Sequence, residues 1–181
     1  MNITNTKSSY GIITILLHWI MAIIIIGLFA LGKYMHGLDY YDKWYHAAPW
    51  WHKSIGISIF FLLIIRLVWR LGNVLPEPLR TYKNWEIKMA KAVHILFYVF
   101  LVIICISGYF ISTAKGVSIE VFGWFHIPAV MSYGKIQADI GGEIHEIAAH
   151  LLALFFVLHV LAAFKHHFID KDVTLLRMLK T

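Results

Sequence analysis

His145 and His159 stand fourteen residues apart in one apolar segment. In an α-helix, fourteen steps return to within about 40° of the starting face and advance roughly 21 Å. The two imidazoles would share one side of a helix, separated by most of a bilayer core about 30 Å thick. Lipid offers no water to a buried imidazole, so each needs a partner. Two stacked on one face point to two metal centres, one near each membrane surface.

The elements that must position them are legible in the composition. Of 181 residues, 60% are hydrophobic and 14% charged, which excludes a disordered or an ordinary water-soluble chain. Four stretches reach the roughly 20 mainly apolar residues of a spanning helix. They lie near Ile12–Leu31, Trp51–Trp69, Ala92–Ile111 and Ile144–Phe164. The first has a thin charged flank and no small-residue cleavage site, so it is expected to be a mature span instead of a signal peptide. One compact domain over residues 1–181 is expected. The formal charge of +6 sits between the apolar runs and at the C-terminus, as juxtamembrane charge does. No basic strip is interleaved with base-stacking aromatics, so nucleic acid is not an expected partner; membrane lipid is.

Lysine and arginine set the direction. Lys7, Arg66, Arg70, Arg80, Lys83, Lys88, Lys91, Lys165, Lys171, Arg177 and Lys180 fall on one side, and Lys33, Lys43, Lys53, Lys115 and Lys135 on the other. Eleven against five predicts both termini and the second connection in the cytoplasm. Tyr40, Tyr41, Trp44, Tyr45, Trp50 and Trp51 form an aromatic belt at the outer interface. In the long third connection, the apolar piece Val117–Val121 with Phe122, Trp124 and Phe125 is expected to lie flat on the membrane surface.

Direction converts position into depth. His18 begins the first span at the inner side, and His52 begins the second at the outer side. On the descending fourth span His145 is outer and His159 inner. The four sort into two levels, His52 with His145 and His18 with His159. Each level takes one imidazole from each of two helices, as axial ligation of a haem inside a bundle requires. The residues four positions after them are Ala22, Gly56, Ala149 and Ala163, small enough to admit a porphyrin. After the rival histidines, His94 and His150, the same position holds Tyr98 and Leu154. His94, also at the inner level, is expected to have a supporting role, and His150 to point into a helix interface. His36, His46 and His126 are expected to be solvated.

Arg66 follows His52 by fourteen residues, on the same face at the inner level. It either pairs with haem propionates or snorkels to the interface with Arg70. His166 lies seven residues past His159, placed either to exchange protons with a reducible ligand or as an interfacial pair with His167 beside Lys165. The lone Cys105 reads as a small buried hydrophobe.

These residues carry a resemblance. The segments Tyr10–Trp19, "HKSIGISIFFLLIIRLVWRL" from His52, "EIHE" from Glu143, "LHVLAAFKHHF" from Leu158 and "KDVTLLRM" from Lys171 resemble the bacterial diheme cytochrome b561 family over nearly the full length. The resemblance implies an all-α fold, an integral membrane four-helix bundle of the bacterial inner membrane that binds two b-type haems. It places His18, His52, His145 and His159 at the metal-ligand positions and assigns no catalytic side chain. A characterised member oxidises superoxide to dioxygen and passes the electrons to ubiquinone, and the same activity is implied here. In that member a connecting lysine and the first histidine of the His-His pair help form the quinone site. His166 matches, whereas Thr81 stands at the lysine position, with Arg80 and Lys83 adjacent as substitutes.

The resulting expectation is transmembrane electron transfer within a respiratory chain, with superoxide drawn to the outer side by Lys53 and Lys115 and quinone near His166 and Arg80. Two other readings stay open. One is a non-catalytic cytochrome b carrier subunit with a soluble redox partner on the outer loops. The other is a haem-free proton or ion conductor.

Overall fold

The structure is a computed structural model that describes residues 2–132 and 134–180. Four long helices dominate it: α1 (Ile12–His36), α2 (Ala47–Leu71), α3 (Asn84–Thr113) and α4 (Lys135–Phe164). All four are long and apolar enough to cross a membrane. Each extends past the apolar stretch read from the sequence, α4 by about two turns at its start. Helical winding continues beyond the apolar stretch because polar residues there can still satisfy the backbone internally. Gly37 and Gly72 close α1 and α2, and Gly72 N–H bonds Val68 O at 3.0 Å. Pro76 and Pro78 keep the following connection irregular. The α3 start is capped by Glu86, whose carboxylate accepts the Lys83 amide at 2.9 Å.

α1 packs along α2, α2 against α3, and α3 most extensively along α4. Backbone contact of α4 with α1 or α2 is scant among the described residues. The bundle is therefore open along the very seam across which the histidines face. Its buried core is a small cluster at mid-height: Met21, Ile59, Leu63, Leu101 and Leu152. Leu152 lies seven residues from each of His145 and His159, so this cluster separates two levels. Outward side chains such as Ile23, Ile64, Ile95 and Ile147 are exposed, as they must be where the neighbour is hydrocarbon.

The two ends differ. At one, the chain termini and the α2–α3 connection are tied together. Arg177 donates to Ser8 O at 2.6 and 3.0 Å and to Glu77 O at 3.0 Å. Trp19 Nε1 donates to Met178 O at 2.7 Å, and Asn5 bonds Val74 O, Gly11 N and Thr14 Oγ1. At the other, β1 (Ile119–Val121) and β2 (Phe125–Ile127) pair antiparallel, Val121 opposite Phe125. Phe122 and Gly123 turn the hairpin with positive φ.

The hairpin corrects one expectation. The piece around Val117–Val121 does not lie flat on a surface. Ile119 and Val121 are 3% and 1% exposed beneath β1, which packs on α2. The buried Ser54 hydroxyl pins it, accepting Phe122 N–H at 3.2 Å and donating to Glu120 O at 3.4 Å. Two alternate residues turned inward satisfy β1 better than a one-sided helix would. Val117, Trp124 and Phe125 remain exposed.

Candidate functional site

A cavity of about 2340 Å³, lined mainly by apolar side chains from all four helices, runs along the bundle. Ordinary small-molecule pockets hold about 300–1,000 Å³. All four sequence-singled histidines line it, and so do Ala22, Gly56, Ala149 and Ala163. A methyl group at Gly56 would meet nothing within 4 Å.

The histidines meet in two pairs of nearly equal geometry. His52 and His145 have ring centres 6.2 Å apart at 64°, and His18 and His159 have theirs 6.3 Å apart at 67°. A metal–imidazole bond is about 2 Å, and a ring centre lies about 1.2 Å behind its nitrogen. Two rings gripping one ion from opposite sides thus stand about 6.3 Å apart, the spacing found at both levels. α4 supplies one ring to each level, α2 the second ring at the hairpin end, and α1 the second at the terminal end.

The surroundings orient the rings. His145 Nδ1 donates to Ile104 O at 2.9 Å and stands 3.2 Å from Ser107 Oγ. That fixes the hydrogen on Nδ1 and leaves the Nε2 lone pair for a metal, the usual arrangement of a ligating histidine. His145 lies flat over Gly108, where an added methyl would come within 3.1 Å of Cε1, and His52 over Gly32, where it would come within 3.4 Å. Nδ1 of His52 is buried without a hydrogen-bond partner among the described residues. A polar nitrogen left so costs about 1–3 kcal/mol. The donor set, spacing and cradle fit a bis-histidine haem at each level.

The terminal-end level holds additional groups. Arg66 does not snorkel; Nη2 lies 3.2 Å from His18 Nδ1 and Nη1 4.0 Å from Met21 Sδ. His94 is 5.8 Å from His159, no farther than His18, so ring distance alone does not choose between them. The helix spacing differs, however: α3 and α4 are closely packed, whereas α1 stands off α4. Arg70 lies over the Tyr98 ring at 5.8 Å. His150 meets α1, 5.9 Å from the Phe29 ring, with Lys33 Nζ 3.5 Å from its Nε2. At the hairpin end Lys33 and Lys53 line the cavity; Lys115 does not.

Past Phe164 the chain adopts a π-helical turn, Lys165–Ile169, a winding often found at functional sites. It sets His166 on the cavity wall with Nδ1 2.8 Å from Asp172 Oδ2 and 3.1 Å from Asp170 Oδ2. Lys165 bridges Glu86 and Asp170, 2.7 Å from each. Arg80 and Lys83 are exposed and do not line this cavity. The side chain that connection turns toward His166 is Tyr82, its ring 4.9 Å away. Burial pushes the Tyr82 phenol up, against its hydrogen bond with Thr174, so it is a neutral donor near pH 7. Tyr82, Asp172, Gly32 and Gly108 escaped sequence reading. Aspartate spaced six residues after a histidine has no helical periodicity, and small residues facing a histidine from another helix leave no local mark.

Residues 9–181 match the family model described as prokaryotic cytochrome b561. The chain belongs to the prokaryotic cytochrome b561 family. Cytochrome b561 homolog 2 of Escherichia coli K12 is 49% identical over 99% of this chain and 95% of its own length. Cytochrome b561 homolog 1 of the same organism is 28% identical over 91% and 93%. A Yersinia pestis protein named probable superoxide oxidase CybB is 27% identical over 94% and 95%. As a member of this family the chain is a multi-pass membrane electron-transfer protein that uses b-type haem.

Proposed function

We propose that residues 1–181 form one membrane domain holding two b haems, one between His52 and His145 and the other between His18 and His159. The observation that carries this is the pair of 6.2 and 6.3 Å ring spacings between α4 and helices that scarcely touch it. When bound, the haems supply single-electron transfer between the two ends of the bundle. The four histidines would hold the haems so that substrate reacts at the edges of the site. The excess of Lys and Arg at the terminal end supports a cytoplasmic placement of both termini in a bacterial inner membrane, with the hairpin outside.

The donor we assign is superoxide, at the hairpin end. The 27% identical relative named for that activity supports it, as do Lys33 and Lys53 on the cavity wall, which attract an anion. The acceptor we assign is ubiquinone, at the terminal end beside His166. Two superoxide anions yield two dioxygen molecules and two electrons, which with two protons convert one quinone to quinol. Arg66, on the cavity wall, supplies positive charge for haem propionates at the inner level. Arg80 and Lys83 contribute only a positive surface field that draws anionic lipid headgroups.

Two measurements test this reading. A purified preparation should be red, with a reduced α-band and two haems per chain. Superoxide mixed rapidly with the oxidised protein should then reduce the haems faster than a haem-free control disproportionates it. One haem or none refutes the ligand assignment; haems that superoxide leaves oxidised refute the donor.

A further inference from the structure

The ring of His166 is held on one side only. Its Nδ1 faces two carboxylates, and an ionised carboxylate only accepts, so this nitrogen carries hydrogen. Nε2 has no partner among the described residues and is the nitrogen available to the cavity that His166 lines.

The two carboxylates are not equivalent. Asp170 is 29% exposed and already neutralised by Lys165, which it shares with Glu86 of α3. Asp172 is 6% exposed and has no lysine or arginine partner among the described residues. Its second oxygen accepts the Thr174 amide at 2.8 Å and the Thr174 hydroxyl as well. Thr174 Oγ1 in turn accepts the Tyr82 hydroxyl at 2.5 Å. Hydrogen bonds thus run one way, from Tyr82 through Thr174 to Asp172, while His166 donates to the same carboxylate from the other side. Burial alone would raise the Asp172 carboxyl, but Thr174 and His166 outweigh it and hold it below the usual carboxylate range. The charged or titratable groups around the ring are therefore Asp172, Asp170, Lys165, Glu86, Tyr82 and, beside Tyr82, Arg177.

We propose that Asp172 is a positioning residue for proton delivery: it fixes the His166 tautomer and steadies the imidazolium, so that Nε2–H is presented to a carbonyl of the quinone in the cavity. This rests on the quinone reading above. In the reduction the quinone gains two electrons, one at a time, from the cytochrome's own electron transfer. One carbonyl oxygen takes its proton from His166 Nε2, which leaves a neutral ring with Nδ1–H still on Asp172. The other oxygen takes its proton from water, and water at the terminal end reprotonates Nε2. Asp172 stays ionised throughout.

The test uses the haem-loaded protein with ubiquinone-1 as acceptor, and ¹⁵N-histidine NMR of the same samples. Asp172→Asn removes the anion, so the imidazolium loses its proton at lower pH. The His166 titration midpoint and the alkaline limb of ubiquinone-1 reduction should both fall by about one pH unit. Turnover at neutral pH should fall at least about tenfold, with haem content unchanged. Thr174→Val strips a donor from the same carboxylate, makes it the stronger base toward His166, and should move both midpoints upward. Asp172→Glu should restore part of the turnover. Midpoints that move in neither variant overturn the role of Asp172. A wild-type protein that does not reduce ubiquinone-1 refutes the quinone reading instead, and the NMR midpoints still judge the dyad. If Asp172→Asn does not assemble, the upward shift in Thr174→Val decides.

Discussion

The guanidinium of Arg66 stands 3.2 Å from Nδ1 of His18. A guanidinium only donates, so this nitrogen accepts, and the hydrogen of a neutral His18 then sits on Nε2. Metal ligation through Nε2 requires the opposite tautomer. On the ligand assignment proposed above, a haem held at the terminal end would release Arg66 from His18 and free it for an anionic group nearby. Arg66→Gln should consequently lower the reduction potential of one haem. A cation at roughly 10 Å in an effective dielectric of about 20 contributes about 1–2 kcal/mol, or about 40–90 mV for one electron. A redox titration followed by absorbance reads the shift; a potential change in both haems or in neither contradicts it.

Ligand removal should be selective by level. His52→Ala or His145→Ala should leave one haem per chain, and so should His18→Ala or His159→Ala, with the other potential lost. His94→Ala should retain two, because α3 packs too closely on α4 for a porphyrin to lie between them. Haem stoichiometry by pyridine haemochrome reads all five variants.

Gly108 sets how near α3 comes to the outer pair. A methyl there would stand 3.1 Å from Cε1 and 3.3 Å from Nδ1 of His145. Gly108→Val should push the ring off Ile104 O and lose the haem of the hairpin end, leaving one. Gly27→Ala, where a methyl meets nothing within 4 Å, should keep both and stabilise the helix by about 0.5–1 kcal/mol. Thermal unfolding in detergent with haem counting separates the two outcomes.

Acid should loosen the C-terminal segment through Asp172. Its carboxyl is held below the usual range despite burial, by Thr174 and His166. A depressed acid stabilises the fold fully above the unfolded value, near the ordinary 3.8, and this contribution is lost as pH falls through the lowered native value. Hydrogen exchange of the amides after Asp172 should therefore accelerate below about pH 4. The acceleration should be absent in Asp172→Asn, which is already loosened at neutral pH.

Much of this architecture is legible in the residues alone, for physical reasons that also mark where reading stops. Four spans follow from apolar length, and the pairing of His52 with His145 and His18 with His159 follows from helical rise and alternating direction. Those quantities are local and additive along a chain. The hairpin at Ile119–Ile127 is not legible, because its strands are three residues each and Ser54, which pins it, lies 66 residues from Glu120. Arg80 and Lys83 attract notice by charge, whereas Tyr82 between them is the residue turned inward. Contacts between helices, such as Gly108 under His145, exist only once the crossing is made.

The five apolar side chains at mid-height, Met21, Ile59, Leu63, Leu101 and Leu152, have a consequence for energy conversion. They line the cavity between the two histidine levels with side chains that carry no proton of their own. On the orientation proposed above, an electron passed from the hairpin end would carry negative charge inward. Against a membrane potential, each full elementary charge moved is worth about 2.3 kcal/mol per 100 mV. Turnover would accordingly draw on the voltage across the membrane, and collapsing that voltage with an ionophore in sealed vesicles should change its rate.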